Sequence, residues 1–452
     1  LNEDNVMSDE QDDPKYPSSF SDELKRVSAN IDKGREPEFI AGRMGTRQYS
    51  IKALLERIVN AFIEEHGRNS TALKAAETSA QKYSLILATA NYIIGVESIL
   101  VTDAEKAEII RKAYAELFTF GPLDSLFLDE TISTISLEGA DKASVRYGHG
   151  DLTKINPLFE DTEHLNRIVR RLLSEADAAI SPDAPLIETG LLVGERRISL
   201  NIASPPITYL LTADIRLHPP HPVTLANMVA SGVMPQTACD LLIALAQSPH
   251  GILIVGETES GKTTLLGAII HHTQTRPLIS VERAGELRLP EGGEQFIVQW
   301  KTDDHEAISF GERVHEALYK SPHTLILDEV RADEPESIAP LLTKAPTPRL
   351  LWAFRGTPNS KRLGSALSIV ARKSNAAEGD MAVRRLYERL PFVVGIRRHD
   401  NTLKLTHISE WQFADDPDYP NYVELMSRGW DGVELTGKRP MKAIDLPDSF
   451  WG

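Results

Sequence analysis

Residues 251–264 read Gly251-Ile252-Leu253-Ile254-Val255-Gly256-Glu257-Thr258-Glu259-Ser260-Gly261-Lys262-Thr263-Thr264. The unbroken apolar run at the start suits a strand buried on both faces, as in a parallel sheet. It feeds a glycine, four residues and then Gly-Lys-Thr, the pattern of a phosphate-binding loop that opens a helix near Lys262. Backbone N–H groups of such a loop and of the first helical turn can surround phosphate oxygens, aided by the helix dipole. Lys262 is expected to neutralise the β- and γ-phosphates of ATP, and Thr263 to ligate Mg2+. Sixty-odd residues on, Thr324-Leu-Ile-Leu-Asp328-Glu329 is an apolar strand ending in two carboxylates. A buried central strand delivers such a pair to the carboxyl edge of the sheet, beside the loop. Asp328 is expected in the magnesium shell and Glu329 at the attacking water.

Strand signals at Gly251–Val255, Leu278–Glu282, Thr324–Asp328 and Arg349–Phe354 alternate with helical segments. That rhythm predicts an α/β fold with a mostly parallel sheet covered by helices. Two β-runs, Pro391–Arg397 and Leu403–Ile408, flank Asp400-Asn401 and suggest a late antiparallel hairpin, after which 413–452 reads as an extended tail. Upstream, His218-Pro219-Pro220-His221-Pro222 marks a linker over 218–223, since proline offers neither a ladder donor nor helical freedom. Residues 119–217 read as an α+β domain. It has strand-like runs at 132–137, 143–147, 197–202 and 209–215, and a helix from Thr162 to Glu175 with Leu165, Ile168, Val169 and Leu172 on one face. A helical bundle is expected over 50–118. One stripe is Ile51, Leu54, Leu55, Ile58, Val59 and Phe62; a second is Leu85, Ile86, Thr89, Tyr92, Ile93 and Val96; Asp103 is the N-cap of a third helix. The first 40 residues hold 11 Asp/Glu against 5 Lys/Arg, so 1–49 is expected to be a mobile acidic tail. The chain opens on Leu1, so an unusual start codon or a start at Met7 or upstream is expected.

Composition narrows the function classes. The 452 residues are 41% hydrophobic and 25% charged, ordinary for a soluble multidomain protein, and no stretch matches a membrane-spanning helix or a secretory signal. A single cysteine, Cys239, excludes an internal disulfide framework and a cysteine-rich zinc site. A formal charge of −16 argues against a general binder of nucleic-acid backbones while leaving room for a local basic groove. His271-His272 lacks a partner motif for a metal, and Trp300, Trp352 and Trp411 read as packing residues.

With these motifs, Gly121-Pro-Leu-Asp-Ser-Leu126, Gly194-Glu-Arg-Arg197-Ile-Ser-Leu-Asn201, Leu211-Thr-Ala-Asp-Ile-Arg216 and Ala317-Leu-Tyr-Lys-Ser-Pro322-His-Thr-Leu-Ile-Leu-Asp-Glu329-Val-Arg331 resemble the type II/IV secretion-system ATPases, most closely the CpaF/TadA branch that drives tight-adherence pili. The resemblance covers roughly residues 50–412. It implies an N-terminal α+β domain followed by a RecA-like motor over 224–412, a homo-hexamer with ATP between the two domains, and a cytoplasmic place at an inner-membrane platform protein; the acidic surface leads to no expectation of a nucleic-acid partner. It also implies that Arg197 and Arg216 close on the nucleotide and that Glu282 and Glu286 of the acidic box serve catalysis. Three positions depart from the family pattern: Arg283 stands where aspartate is usual, Arg355 where histidine is usual, and Asp328 where glycine is usual. Arg355 can still contact a phosphate as a fixed cation. The leading function is an ATPase motor for pilus assembly or secretion; the alternative is a divergent nucleotide-binding subunit of the same machinery with little hydrolysis.

Overall fold

The computed structural model describes residues 50–66, 70–274, 276–343, 348–399, 402–413, 420–429 and 432–452. The acidic tail expected over 1–49 and the Asp400-Asn401 turn lie outside them. The fold is α/β, and the chain divides into two compact units.

The first unit comprises the described residues up to Ile132 together with Gly139–Ala143 and Asn156–Leu172. It is built around α1 (Ile51–His66), the short α2 (Thr71–Ala75), α3 (Ser79–Val96), α4 (Asp103–Phe118) and α5 (Asp124–Leu128). Ile51, Leu54, Ile58 and Phe62 of α1 meet Ile86, Ala90 and Ile93 of α3 and Ile109, Ala113 and Tyr114 of α4 in one apolar core. The stripe expected on α3 is corrected in part, because Tyr92 and Val96 are exposed and Ala90 takes the inner turn. The N-cap of α4 is Thr102, whose hydroxyl accepts from Glu105 N while Glu105 reaches back, so Asp103 sits in the first turn instead. A hydroxyl one residue earlier completes a reciprocal capping box, which an aspartate at 103 cannot.

Ser133–Glu138, Ser144–Ile155 and Leu173–Gly452 form the second unit, which carries two sheets apart from the first residues of β1 and β2. The smaller sheet has the order β3-β2-β1-β6-β5-β4, made of β1 (Ile132–Glu138), β2 (Lys142–Tyr147), β3 (Leu152–Ile155), β4 (Leu186–Val193), β5 (Arg196–Ala203) and β6 (Thr212–Leu217). The helix read between β3 and β4 is α6 (Thr162–Glu175). The last strand starts at Thr212, leaving Tyr209 almost fully exposed in the preceding loop. Period-two alternation gives β4, β5 and β6 two unlike faces. Ile187, Ile198, Leu200, Ile202, Ala213 and Ile215 are buried, whereas Glu188, Arg197, Ser199, Asp214 and Arg216 lie on the other face, with Ser199 opposite Arg216 and Gly190.

Beyond residues 218–223, which are neither helix nor strand, come α7 (Leu225–Ala230), α8 (Gln236–Gln247), β7 (Ile252–Gly256), α9 (Lys262–Ile270), β8 (Leu278–Glu282) and β9 (Glu294–Ile297). There follow α10 (Phe310–Tyr319), β10 (Thr324–Val330), β11 (Arg349–Arg355), α11 (Ser360–Ser374), α12 (Gly379–Arg389), β12 (Phe392–His399) and β13 (Thr402–Gln412). With β14 (Asn421–Arg428) and β15 (Val433–Leu435), the larger sheet runs β15-β14-β13-β12-β7-β11-β10-β8-β9. Strands β9, β8, β10, β11, β7 and β12 are parallel, and β12–β13 is the antiparallel hairpin read from the sequence. Two apolar layers flank the sheet. Leu241, Leu245, Leu265 and Ile269 lie on one side; Val314, Leu363, Leu367 and Leu386 lie on the other.

Within 413–452, the described residues 420–429 and 432–452 are not the extended tail that the segment's Asp, Pro and aromatic content suggests. Strands β14 (Asn421–Arg428) and β15 (Val433–Leu435) extend the sheet, and Trp451 is buried in its core. The fully buried Glu410 of β13 accepts from the backbone N of Met441 at 2.7 Å and of Lys442 at 2.8 Å, which fastens the segment down. Local composition misleads here because the ordering groups lie outside the segment: β13 supplies the edge on which β14 pairs, and Glu410 holds backbone 31 and 32 residues further on.

Candidate functional site

Every residue of β7 is buried, and β11 and β12 pair with it on either side, so the strand delivers its carboxyl end to the middle of the sheet edge. Gly261 closes the loop at φ +86, a backbone that a side chain rarely adopts, and α9 then starts without any side-chain cap. The leading N–H groups of that helix are thereby left for a ligand. Lys262 is 6% exposed, and its Nζ donates to the backbone O of Glu257 at 2.8 Å. Burial lowers its pKa; the carboxylates of Glu329 and Asp328 pull it up, while Arg216 and Arg355 push it down. Five groups named from the sequence therefore share one electrostatic neighbourhood.

Thr263 Oγ1 donates to Asp328 at 3.1 Å and 3.4 Å, joining the two residues expected to hold magnesium. The buried Asp328 carboxyl is driven well upward, first by burial, then by the carboxylates of Glu286, Glu282 and Glu329. A hydroxyl and a carboxylate facing each other amid negative charge suit a hard divalent cation that keeps most of its coordination for water and phosphate. Among the described residues there is no cluster of three His, Cys, Asp or Glu placed to hold a metal by themselves. The ladder between β10 and β11 slips between Leu327 and Val330, and Glu329 adopts φ +59 in that irregularity. The slip turns Glu329 out of the strand alternation while Asp328 stays buried. Arg331 lies 3.6 Å from Glu329 and holds Glu188 of β4 through both carboxylate oxygens, at 2.8 Å and 2.7 Å.

The acidic box divides into an inner and an outer carboxylate. Glu282 has no solvent exposure and accepts from Ser280 Oγ at 2.5 Å, Leu287 N at 2.8 Å and Gln295 Nε2 at 2.9 Å. Its bonds shape the loop that carries Glu286. The latter accepts from Ser199 Oγ at 2.8 Å, with His218 Nε2 3.6 Å away and itself 2.6 Å from that hydroxyl. The departure at Arg283 has a local reason: its guanidinium pairs with Glu334 and lies 4.7 Å from the Phe310 ring centroid. Arg355 ends β11 beside Gly256 and is exposed.

From the smaller sheet, Arg197 Nη1 donates to the backbone O of Gly285 in the acidic-box loop. Arg216 Nε is buried without a hydrogen-bond acceptor, and the Asp214 carboxylate lies 3.9 Å from it. The approach at β4 is tighter still, since a Cβ on Gly190 would sit 1.9 Å from Ala284 O. Sequence reasoning missed Glu188, Ser199 and His218, and it also missed Arg146 and Arg398, which both face Glu259 of the loop. The alternation of β4 and β5 marks Glu188 and Ser199 as polar-face residues; nothing local marks Arg398.

Residues 129–343, just under half of the chain, match the family described as type II/IV secretion system protein. A putative conjugal transfer protein of Mycobacterium tuberculosis is 25% identical over 242 residues, 52% of this chain and 68% of that protein. A twitching motility protein of Neisseria gonorrhoeae is 29% identical over 163 residues, 34% of this chain and 42% of that protein. Among solved structures, the ATPase DotB of Legionella pneumophila aligns with a TM-score of 0.47 at 17% identity, covering 67% of this chain and 82% of that one.

Proposed function

We propose that this chain is an ATP-hydrolysing motor of a pilus-assembly or protein-secretion machine, of the CpaF/TadA type and active as a hexamer. The observation that carries the proposal is the juxtaposition of Lys262, Thr263, Asp328 and Glu329 at one sheet edge. Lys262 and the helix start bind the β- and γ-phosphates, and Thr263 with Asp328 holds Mg2+, which supplies charge neutralisation on the phosphates when bound. Glu329 accepts a proton from water and orients it toward the γ-phosphorus. Glu282 fixes the loop of Glu286, and Glu286 shapes the solvent beside the phosphate. Arg197, Arg216 and Arg355 contribute fixed positive charge, the first two from the smaller sheet. The family match and the conjugal-transfer and twitching-motility relatives support the machine class.

The second reading, a nucleotide-binding subunit with little turnover, is favoured by Arg283 being consumed in its pair with Glu334 and by Arg355 standing at the strand end. Phosphate release and binding of a fluorescent ATP analogue separate the two. The motor reading expects Lys262→Ala to lose binding, and Glu329→Gln to retain binding and lose most turnover. Wild-type protein that binds ATP without releasing phosphate, alone or with its membrane partner, establishes the second reading; unchanged affinity in Lys262→Ala removes both.

A further inference from the structure

The phosphate-binding loop carries a carboxylate that opposes its own ligand. Glu259 lies three residues before Lys262 and adopts φ +59, a left-handed backbone that costs a non-glycine residue roughly 1–3 kcal/mol and is retained where surroundings over-determine it. The surroundings are two arginines. Arg146 Nη1 of β2 donates to Glu259 Oε2, and Arg398 Nη1 of β12 lies 3.7 Å from the same oxygen. The side chains of Arg146, Arg398 and Glu259 are 14%, 22% and 27% exposed, so solvent screens this group far less than a surface pair. Arg398 Nη2 also donates to the backbone O of His149 and, at 2.8 Å, of Gly150, in the turn after β2.

We infer that Arg146 and Arg398 are positioning residues for the nucleotide: they neutralise Glu259 and hold the loop in shape, so that a phosphate chain can enter beside a carboxylate. The inference rests on the nucleotide-binding reading of the loop. An isolated carboxylate beside phosphates raises the electrostatic cost of every bound oxygen, and a half-buried site enlarges that cost. Arginine suits the task because its planar, always charged guanidinium fixes a carboxylate in one place with donors to spare. Those spare donors of Arg398 fasten the loop to the turn after β2, so the loop is tied to the smaller sheet through charge as well as backbone.

A charge-compensation cycle tests this. The dissociation constant of a fluorescent ATP analogue is measured for the full chain, Arg146→Gln, Glu259→Gln and the double variant, at fixed ionic strength. Arg146→Gln is expected to bind about tenfold more weakly, roughly 1.4 kcal/mol, because the exposed charge of Glu259 now faces the phosphates. Glu259→Gln is expected to bind at least as tightly as the wild type, and the double variant to recover to within about twofold of Glu259→Gln. The same cycle with Arg398→Gln keeps the test open if Arg146→Gln does not fold. A purely structural arginine leaves the double variant as weak as the single one, and that result overturns the inference, as does wild-type affinity in both arginine variants. Wild-type protein that fails to bind the analogue overturns the nucleotide reading as well; binding without rescue overturns this inference alone.

Discussion

Gly190→Ala is the sharpest probe of how the smaller sheet sets the acidic-box loop. A Cβ there would lie 1.9 Å from Ala284 O and 2.8 Å from Ala284 C, whereas ordinary contact begins at 3.4 Å. Backbone cannot swing aside as a side-chain end can, so strand and loop must separate by about 1.5 Å along that line. Ala284 precedes the Arg197 anchor at Gly285 by one residue and Glu286 by two, so the displacement passes into both. Overpacking of this kind costs roughly 1–3 kcal/mol of stability. A misplacement of about 1 Å around a reacting group can cost about 10²-fold in rate. Lys262 and Thr263 are on a different segment and keep their geometry. The expected signature is therefore a split: affinity for an ATP analogue within about threefold of wild type, and turnover at saturating ATP down by about 10²-fold. Gly95→Ala is the control. It lies in α3 with nothing within 4 Å of the new Cβ, so it is expected to gain roughly 0.5–1 kcal/mol and to leave turnover alone. A folded Gly190→Ala protein with wild-type turnover would refute the coupling between β4 and the acidic-box loop.

Asp124 offers a pH test in the first unit. Burial is the main reason its carboxyl is pushed up from 3.8 to about 7, while bonds from the Thr119 hydroxyl and Phe120 N oppose the rise. The folded state then holds the proton more tightly than the unfolded one, so the group costs stability as pH climbs from about 4 to about 7, on the order of 4 kcal/mol in full above that window. Asp124→Asn is expected to gain on the wild type progressively across this range in urea titrations, and parallel pH profiles would exclude the buried-acid account. For the arginines, Arg216→Ala and Arg355→Ala are expected to bind ATP yet lose turnover at least tenfold at protein concentrations that assemble the ring. Full activity in both variants, or in a monomer, would remove the shared-charge and ring proposals.

The loop–helix junction and its partner strand were legible in the sequence because their chemistry is local. An apolar run, two glycines and a lysine impose a strand, a turn and a helix start wherever they occur together, and 252–256 with 262–270 form just those elements. The same holds for the parallel rhythm of β8, β10 and β11, and for the stripe of α1, where burial follows periodicity. Tertiary structure decided what depends on charge and register between remote segments. Glu410 drew residues 441–442 onto a sheet that their composition does not announce. Arg146 and Arg398 reached Glu259 across 113 and 139 residues of chain, and Glu188 reached Arg331 across 143. Local propensity is a sum over neighbours in sequence and sees none of these. A buried charge is settled only when the folded chain brings its counter-charge within reach, and in this protein that step completes the surroundings of the loop at residues 256–263.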